Sequence, residues 1–140
     1  MKRISRSAIV EHSADEMYAL VDDIERYPEF LPWCTEARVT AVDGRKHATL
    51  TVGLRGLRQS FTTLNDNRPG EAIDMQLVEG PFRRFSASWR FRPLAPAASA
   101  IEFTLQYEFS SRSLGRLLEP VFDHIADTMV DAFKRRADAR

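Results

Sequence analysis

The chain of 140 residues carries 20 basic and 20 acidic side chains, and 44% of its residues are hydrophobic. Its length fits one domain over residues 1–140 with a sizeable core, and its composition is typical of a soluble globular protein rather than a disordered or fibrous one. Because the formal net charge is zero, no global field draws the protein onto nucleic acid or acidic membranes, and any such binding needs a local patch.

The single cysteine, Cys34, excludes an internal disulfide, and without clustered Cys or His partners it predicts no metal site of the usual zinc spacing. A reducing, cytoplasmic location is therefore expected. The N-terminus is basic, but polar residues follow at positions 11–13, before any apolar run of signal-peptide length. No stretch approaches the roughly 20 apolar residues of a spanning helix. The sequence thus predicts neither a visible export signal nor a membrane anchor of its own.

The first elements are a strand and a short helix. Residues 3–11 are rich in Ile and Val and predict the strand, and the capping-box pattern of residues 13–16 starts the helix. Its apolar side chains recur at helical spacing: Met17, Leu20, Val21 and Ile24.

The segment 22–34 is too rich in proline and aromatic residues to form one regular helix or strand. Pro28 and Pro32 each fix their own φ and disfavour the α conformation in the preceding residue, so the backbone must turn twice. An irregular loop that holds bulky side chains favours a pocket mouth or lid, with a buried connector as the alternative.

Four runs alternate apolar and polar residues and predict strands with one apolar face. Their apolar positions are Ala48, Leu50, Val52 and Leu54; Ile73, Met75 and Leu77; Phe85, Ala87, Trp89 and Phe91; and Ile101, Phe103, Leu105, Tyr107 and Phe109. Turn-forming residues separate the runs at 43–44, 69–70, 80–81 and 93–96. The pattern predicts an antiparallel meander.

The last 30 residues change to a helical period and predict a long helix with one apolar stripe. The stripe consists of Leu114, Leu117, Leu118, Val121, Phe122, Ile125, Met129, Val130 and Phe133. Pro120 is expected to kink this helix or to mark its true start.

These elements predict an α+β fold in which a curved antiparallel sheet wraps around the long C-terminal helix. A curved sheet that closes on one helix cannot bring its apolar faces together everywhere. The remaining gap is a candidate ligand cavity, and the segment 22–34 is expected at its mouth.

No catalytic set emerges from the sequence. His12, His47 and His124 are far apart and form no catalytic or metal-binding motif. His124 is expected at a polar boundary of the long helix, with an approach to the cavity as the alternative. The inward strand positions supply almost no polar group beyond Tyr107, so the sequence favours binding over catalysis, without excluding an enzyme.

Three arginines, Arg84, Arg90 and Arg92, occupy the strand phase opposite Phe85 and Trp89. They form a candidate cationic patch for the phosphates of lipid or RNA. The alternative is the ordinary solvated outer face of a half-exposed strand.

The proline-aromatic run of residues 23–34, together with Gly-Pro-Phe at 80–82 and Trp-Arg-Phe at 89–91, resembles the coenzyme Q-binding family of START-like proteins (polyketide cyclase-like, SRPBCC). Bacterial members are also called the RatA ribosome-association toxin family. The likeness spans nearly the whole chain, from the first strand through the Phe61 region to residues 129–133 and 136–137 in the final helix.

The resemblance implies a START-like helix-grip fold whose cavity binds ubiquinone or a related isoprenoid lipid. The role implied is support of respiratory electron transfer or ubiquinone synthesis, without catalysis or a required cofactor, in the cytoplasm or at the periphery of the inner membrane. The alternative that it implies is a toxin that binds the large ribosomal subunit and blocks subunit joining. The implied ligand-binding residues are Tyr27, Phe30, Leu31, Pro32, Trp33, Phe61, Phe82, Trp89, Phe91, Tyr107, Phe122, Met129 and Phe133.

Overall fold

A computed structural model describes residues 1–54 and 56–140, which contain a seven-stranded antiparallel sheet and two α-helices. In chain order the elements are β1 (Lys2–Val10), α1 (Ala14–Asp22), a 3₁₀ helix (Ile24–Glu29), β2 (Cys34–Val42), β3 (Arg45–Leu54), β4 (Leu57–Arg68), β5 (Ala72–Glu79), β6 (Phe82–Ala95), β7 (Ala98–Phe109) and α2 (Arg112–Asp138). The strand order is β1-β7-β6-β5-β4-β3-β2. The predicted α+β class, with a sheet wrapped around the last helix, is confirmed.

Two strands, β2 and β4, join the four predicted from alternation and the first strand. The turn at residues 43–44 connects β2 to β3 with positive φ at both Asp43 and Gly44. This is the conformation of a tight hairpin turn. The turn expected over residues 93–96 is wrong for its first three residues, because β6 continues to Ala95. β5 pairs with β6 only as far as Arg90, so Pro93 lies beyond the end of the β5–β6 ladder. A residue that lacks an N–H is tolerated at such a position.

The predicted cap of α1 is confirmed: the Oγ of Ser13 accepts a hydrogen bond from the backbone N–H of Glu16 at 3.1 Å. The segment after α1 is more regular than the expected loop. Residues 24–29 form a 3₁₀ helix that contains Pro28, and the N–H groups of Phe30 and Leu31 both donate to the Tyr27 carbonyl. A 3₁₀ helix accommodates proline here because the chain turns away directly after it.

The long helix α2 excludes one of the two alternatives for Pro120, and it corrects the apolar stripe at one position. Pro120 lies inside the helix and does not mark its start, because the helix begins eight residues earlier, where the Ser111 hydroxyl accepts from the N–H of Leu114. Leu117 does not belong to the buried stripe, and 55% of it is exposed. Successive helical residues point about 100° apart, so burying Leu118 turns Leu117 towards solvent.

The core lies between α2 and the inner face of the sheet. Phe122 of α2 is its central contact, with ring centroids 5.8 Å from Phe61 of β4, 5.2 Å from Phe82 of β6 and 5.7 Å from Phe109 of β7. One helical side chain thus joins three strands, and the sheet must curve for all three rings to reach it.

Candidate ligand-binding cavity

An apolar cavity of about 60 Å³ lies between the inner face of the sheet, α2 and the 3₁₀ segment. Its lining is aliphatic, aromatic and methionine side chains with two polar exceptions. The lining residues are Ile24, Tyr27, Trp33, Ala48, Leu50, Phe61, Thr63, Asn65, Met75, Phe85, Ala87, Trp89, Phe103, Leu105, Phe122, Ile125 and Met129.

Six of the thirteen predicted ligand-binding residues line this cavity. They are Tyr27, Trp33, Phe61, Trp89, Phe122 and Met129. Seven of the eleven lining residues that sequence reasoning did not select belong to the inward phase of the same alternating runs: Ala48, Leu50, Met75, Phe85, Ala87, Phe103 and Leu105. Alternation alone identifies the inward face, but it does not say which inward residues border a gap and which fill the core.

The other seven predicted residues lie around the cavity rather than in it. They are Phe30, Leu31, Pro32, Phe82, Phe91, Tyr107 and Phe133. Phe133 is buried behind the wall, with ring centroids 5.3 Å from both Tyr27 and Trp89. Pro32, in contrast, is exposed. The thirteen residues thus fall in one region of the fold: six line the cavity, six pack in the surrounding core, and Pro32 is exposed. Their role in ligand binding stays a prediction.

The proline-aromatic segment closes the cavity as a buried wall. Trp33 is only 2% exposed, and its backbone carbonyl accepts from the N–H of Gly53 at 2.8 Å. The hydroxyl of Tyr27 donates to the carbonyl of Val21 at the end of α1. Burial raises the pKa of Tyr27 far above its ordinary value, so the phenol stays neutral. The segment therefore forms a buried part of the cavity wall.

A buried polar pair interrupts the apolar lining. Thr63 and Asn65, both on the inward phase of β4, are 4% and 1% exposed. The Oγ1 of Thr63 donates to the Oδ1 of Asn65 at 2.7 Å. The spacing of residues 61, 63 and 65 places all three on one strand face and could have identified this inward face of β4. The polarity of Thr63 and Asn65 concealed both the strand and the pair.

Tyr107, the one polar group expected inside, faces elsewhere. Its hydroxyl donates to the Oδ1 of Asp123 on α2 at 3.2 Å, and Lys2 binds the same carboxylate at 2.7 Å. Burial, followed by the charge of Asp123, raises the pKa of Tyr107. This cluster joins β1, β7 and α2, and it does not border the cavity.

The three arginines of the candidate patch are exposed on the outer face of β6, but acidic side chains accompany them. Arg90 pairs with Asp74 of β5 at 2.8 Å. Glu108 of β7 lies opposite Arg84 in the strand register, but its carboxylate pairs with the neighbouring Arg83 at 3.0 Å. Their outward position agrees with the strand phase. Their charge is partly balanced by these neighbours, so the face is mixed rather than strongly cationic.

Other reactive groups are occupied by local contacts. Cys34 is buried, and burial raises the pKa of its thiol to about 11, which disfavours the reactive thiolate. His124 is exposed on α2, as the boundary interpretation predicted.

Among residues 1–54 and 56–140 no group of His, Cys, Asp or Glu is arranged to hold a metal ion. Within the same residues, neither helix is long and apolar enough to cross a bilayer.

The chemistry that this cavity supports is binding of an apolar group with one polar end. Of its described lining residues only Tyr27 is titratable, and none is a carboxylate, imidazole, ammonium or thiol. General acid–base or nucleophilic catalysis needs such groups in reach of the substrate. For polar contact the described lining offers the Thr63–Asn65 pair, the Tyr27 hydroxyl and the indole N–H groups of Trp33 and Trp89.

Comparison with known proteins agrees with this geometry. Residues 10–134 match the family model described as polyketide cyclase / dehydrase and lipid transport. The chain is 42% identical over 138 residues to the ribosome association toxin RatA of Vibrio cholerae serotype O1, covering 98% of this chain and 96% of the relative. It is 29% identical over 143 residues to the mitochondrial coenzyme Q-binding protein COQ10 homolog B of Xenopus laevis, covering 97% and 59%.

Solved structures share the fold at lower identity. The Zhui aromatase/cyclase from Streptomyces sp. R1128 superposes with a TM-score of 0.86 at 18% identity, covering 99% of this chain and 94% of that one. A START superfamily protein from Mycobacterium smegmatis gives 0.83 at 22% identity, covering 98% and 97%. The helix-grip arrangement is thus shared with both, and the predicted fold is confirmed.

Proposed function

This chain belongs to the polyketide cyclase / dehydrase and lipid transport family, among its RatA-like members, and from this we propose that it binds ubiquinone or a related isoprenoid lipid in its cavity. The proposed role is non-catalytic and supports respiratory electron transfer or ubiquinone synthesis. The protein would act in the cytoplasm and touch the inner membrane transiently to exchange the lipid.

The observation that carries this proposal is the lining of the cavity. Its wall combines aromatic rings with Met75 and Met129, whose flexible side chains adapt to an irregular ligand. An isoprenoid tail is apolar, and each buried methylene contributes about 0.8 kcal/mol. The name of the Xenopus relative, a coenzyme Q-binding protein, supports the same ligand class.

The closed cavity must expand to hold such a ligand. Its 60 Å³ has room for a few water-sized groups, whereas sites for drug-sized ligands measure about 300–1,000 Å³. Because the 3₁₀ segment is the part of the wall outside the sheet and α2, we place the opening movement there. Ligand uptake then requires Tyr27 and Trp33 to move away from α2.

The absence of catalysis is part of the proposal. Among the lining residues that the structure describes, the one titratable group, Tyr27, is neutral and already donates to a backbone carbonyl. The aromatase/cyclase that shares the fold is 18% identical, and fold alone does not transfer an activity.

A blocked-cavity variant tests the proposal. We expect protein purified from a ubiquinone-making bacterium to yield ubiquinone on solvent extraction and mass spectrometry. Ala87→Leu places three more carbons in the cavity and should reduce the yield severalfold. Ser86→Leu, one residue earlier and exposed on the outer face, is the matched control and should keep it. Lipid-free wild-type protein with no affinity for added ubiquinone would overturn the proposal.

Ribosome association is the second candidate function, favoured by the 42% identity to a protein named for it. On this reading the chain binds the large ribosomal subunit and blocks subunit joining. Arg84, Arg90 and Arg92 remain the candidate contact surface, because phosphate binding uses arginine. The acidic neighbours of Arg84 and Arg90 weaken this surface.

Sucrose-gradient sedimentation of cell extracts tests this candidate. Wild-type protein should sediment with free large subunits, and replacing the three β6 arginines by Glu should release it. The same charge change at Arg112, Arg116 and Arg135, which are exposed on α2, is the matched control. Wild-type protein that stays at the top of the gradient would count against ribosome association itself. Co-sedimentation that is unaffected by the β6 change would exclude the three arginines as the contact surface.

A further inference from the structure

We propose that the apolar tip of the β6–β7 hairpin, residues 93–97, docks on the surface of a lipid bilayer when the protein exchanges its lipid. This inference rests on the proposed function and names the surface that brings the cavity to the membrane. It starts from the composition and the exposure of these five residues.

The tip is a continuous run of apolar residues that are all exposed. They are Pro93, Leu94, Ala95, Pro96 and Ala97. Hairpin turns are usually rich in Gly, Asn, Asp and Ser, as in the Asp43-Gly44 turn between β2 and β3. An exposed apolar run of this length is unfavourable in water unless it serves an interaction. The tip therefore calls for a partner that covers it.

A β-bulge presents Leu94 at the end of the hairpin. The pairing of β6 with β7 shifts by one residue between Pro93 and Ala95, so Leu94 is the extra residue of the bulge. Bulges bend a strand and re-aim a side chain, and 48% of Leu94 is exposed. The largest apolar side chain of the tip is thus available for contact.

Ile9 and Arg92 extend this surface behind the tip. Both lie opposite Ala100 of β7 in the strand registers, so the three side chains share the outer face of the sheet. Ile9 is 69% exposed. Arg90 pairs with Asp74, whereas no carboxylate in the described part of the chain pairs with Arg92. The guanidinium of Arg92 is therefore available to a lipid phosphate, which arginine binds well.

A bilayer fits this surface better than a protein partner does. A stable protein interface buries about 800 Å² from about 20–30 residues on each side, and the tip with Ile9 and Arg92 offers far fewer. A bilayer needs no matching shape, because apolar side chains enter its interface and arginine adds attraction to anionic lipids. The apolar tip supplies the insertion and Arg92 the phosphate contact.

The tip also lies near the cavity. Phe91 precedes it directly, and the Phe91 ring stacks on the indole of Trp89 with 6.0 Å between centroids. Trp89 in turn lines the cavity. From Trp89 to Leu94 the strand spans about 16 Å, and half of a bilayer's hydrocarbon core is about 15 Å thick. Docking by the tip therefore brings the cavity to within about one leaflet of the lipid that it exchanges.

Leu94→Asp and Leu117→Asp form a matched pair of variants. Leu117 is 55% exposed, close to the exposure of Leu94, but it lies near the start of α2, which follows the other end of β7. Leu94→Asp should lower the partition onto vesicles about tenfold, because an exposed apolar side chain is replaced by a charge. Leu117→Asp should leave the partition unchanged. Thermal melting checks that each variant folds.

Arg92→Gln isolates the electrostatic contribution. On vesicles of equal parts phosphatidylcholine and phosphatidylglycerol it should lower the partition about fivefold, since one arginine near an anionic surface contributes about that factor. On phosphatidylcholine alone it should have little effect. An equal loss on both kinds of vesicle would overturn the assignment of Arg92 to anionic lipid.

The experiment is flotation of the protein with these vesicles in a density gradient. We expect wild-type protein to float with the mixed vesicles. Wild-type protein that stays at the bottom, or equal flotation of Leu94→Asp and Leu117→Asp, would overturn this inference. If the wild type ignores vesicles and Leu94→Asp releases the protein from large ribosomal subunits, the tip belongs to the second candidate function instead.

Lipid transfer separates this inference from the proposed function. Wild-type protein loaded with ubiquinone should pass it to acceptor vesicles, and Leu94→Asp should slow the transfer about tenfold while the ubiquinone extracted from the purified protein stays the same. Equal transfer rates would overturn docking by the tip and leave the cavity proposal intact. Wild-type protein that floats but neither carries nor binds ubiquinone would overturn the proposed function and leave the docking surface standing.

Discussion

The guanidinium of Arg136 lies over the ring of Phe30, with 4.9 Å between the guanidinium carbon and the ring centroid. The same side chain donates to the Oε1 of Glu29 at 2.7 Å, and the Phe30 ring contacts Phe133 at 5.2 Å. We call Glu29, Phe30 and Arg136 the latch. It joins the last turns of α2 to the end of the 3₁₀ segment, so any outward movement of that segment must break it.

Removing the latch arginine should loosen the cavity wall. Arg136→Ala deletes one cation–π contact and one ion pair, each worth about 0.5–1 kcal/mol at a partly exposed site. We expect a loss of about 1 kcal/mol in the free energy of unfolding. Hydrogen exchange monitored by mass spectrometry should show faster exchange of the amides of residues 24–34.

The neighbouring Arg135 supplies the control. It is exposed and pairs with Asp131 one turn away on the same helix, so Arg135→Ala removes a similar charge without touching the latch. Its effect on residues 24–34 should be negligible. Equal exchange rates in the two variants would show that the latch does not restrain the wall.

Gly80 is predicted to tolerate no side chain. A Cβ at this position would lie 2.8 Å from the Cβ of Phe61, which lines the cavity and is held by its own backbone. Gly80→Ala should therefore cost about 1–3 kcal/mol through overpacking. Gly115→Ala is the matched change, since the nearest atom there is 3.7 Å away and alanine favours a helix by up to about 1 kcal/mol.

Thermal melting distinguishes the two glycines by sign. Gly80→Ala should lower the melting temperature, and Gly115→Ala should leave it unchanged or raise it. A Gly80→Ala protein as stable as the wild type would mean that β4 shifts freely beneath the turn.

Tryptophan fluorescence should report on the ligand directly. The chain has two tryptophans, and both Trp33 and Trp89 line the cavity. Titration with decyl-ubiquinone should quench much of the emission, because a ring bound in this cavity would lie close to both indoles. Ala87→Leu should reduce the quenching severalfold. Unchanged emission in a protein that still carries quinone would place the ligand outside this cavity.

Tryptophan fluorescence is also a better test of ligand binding than truncation of Trp33 in the cavity wall. Trp33→Ala would remove a side chain that is 2% exposed, at a cost of about 3–5 kcal/mol. Lost ligand in that variant would not be distinguishable from lost structure. Trp33→Phe keeps an aromatic wall and leaves Trp89 as the single emitter.

The sequence predicted the fold well because its long runs are periodic, and it predicted the site poorly where polarity broke the period. The inward phase of β4 reads Phe61, Thr63, Asn65, and its outward phase includes Leu64. Hydropathy therefore does not alternate along β4. Thr63 and Asn65 break the alternation of β4, and their polarity therefore concealed both this strand and the polar pair in the cavity.

Helical periodicity failed at a different level. It predicted Leu117 and Phe133 as members of one apolar stripe; Phe133 is buried as predicted, whereas Leu117 is exposed. Periodicity also did not show that Phe133 lies outside the cavity lining. A stripe fixes which face of α2 meets the sheet. Which positions border a gap depends on the curvature of the sheet and on the 3₁₀ segment, and neither is encoded in local spacing.

His12 should make stability depend on pH. Its Nδ1 contacts the Oε2 of Glu16 in α1 at 2.6 Å, and its Nε2 contacts the Oδ1 of Asp138 at the end of α2 at 2.8 Å. The hydrogen bond to Asp138, followed by the charge of Glu16, outweighs partial desolvation and raises the pKa of His12. Because the folded pKa is raised, protonated His12 stabilises the fold fully below its unfolded value of about 6.5. That contribution is lost as pH rises through the folded pKa.

The measurement is the difference in melting temperature between wild-type protein and His12→Gln across pH 6 to 9. We expect a clear difference at pH 6 that shrinks as the pH rises, because only the charged imidazole bridges both carboxylates. His124→Gln, at an exposed position on α2, should show no such trend. A His12→Gln difference that is the same at every pH would mean that the neutral ring holds α1 and α2 together equally well.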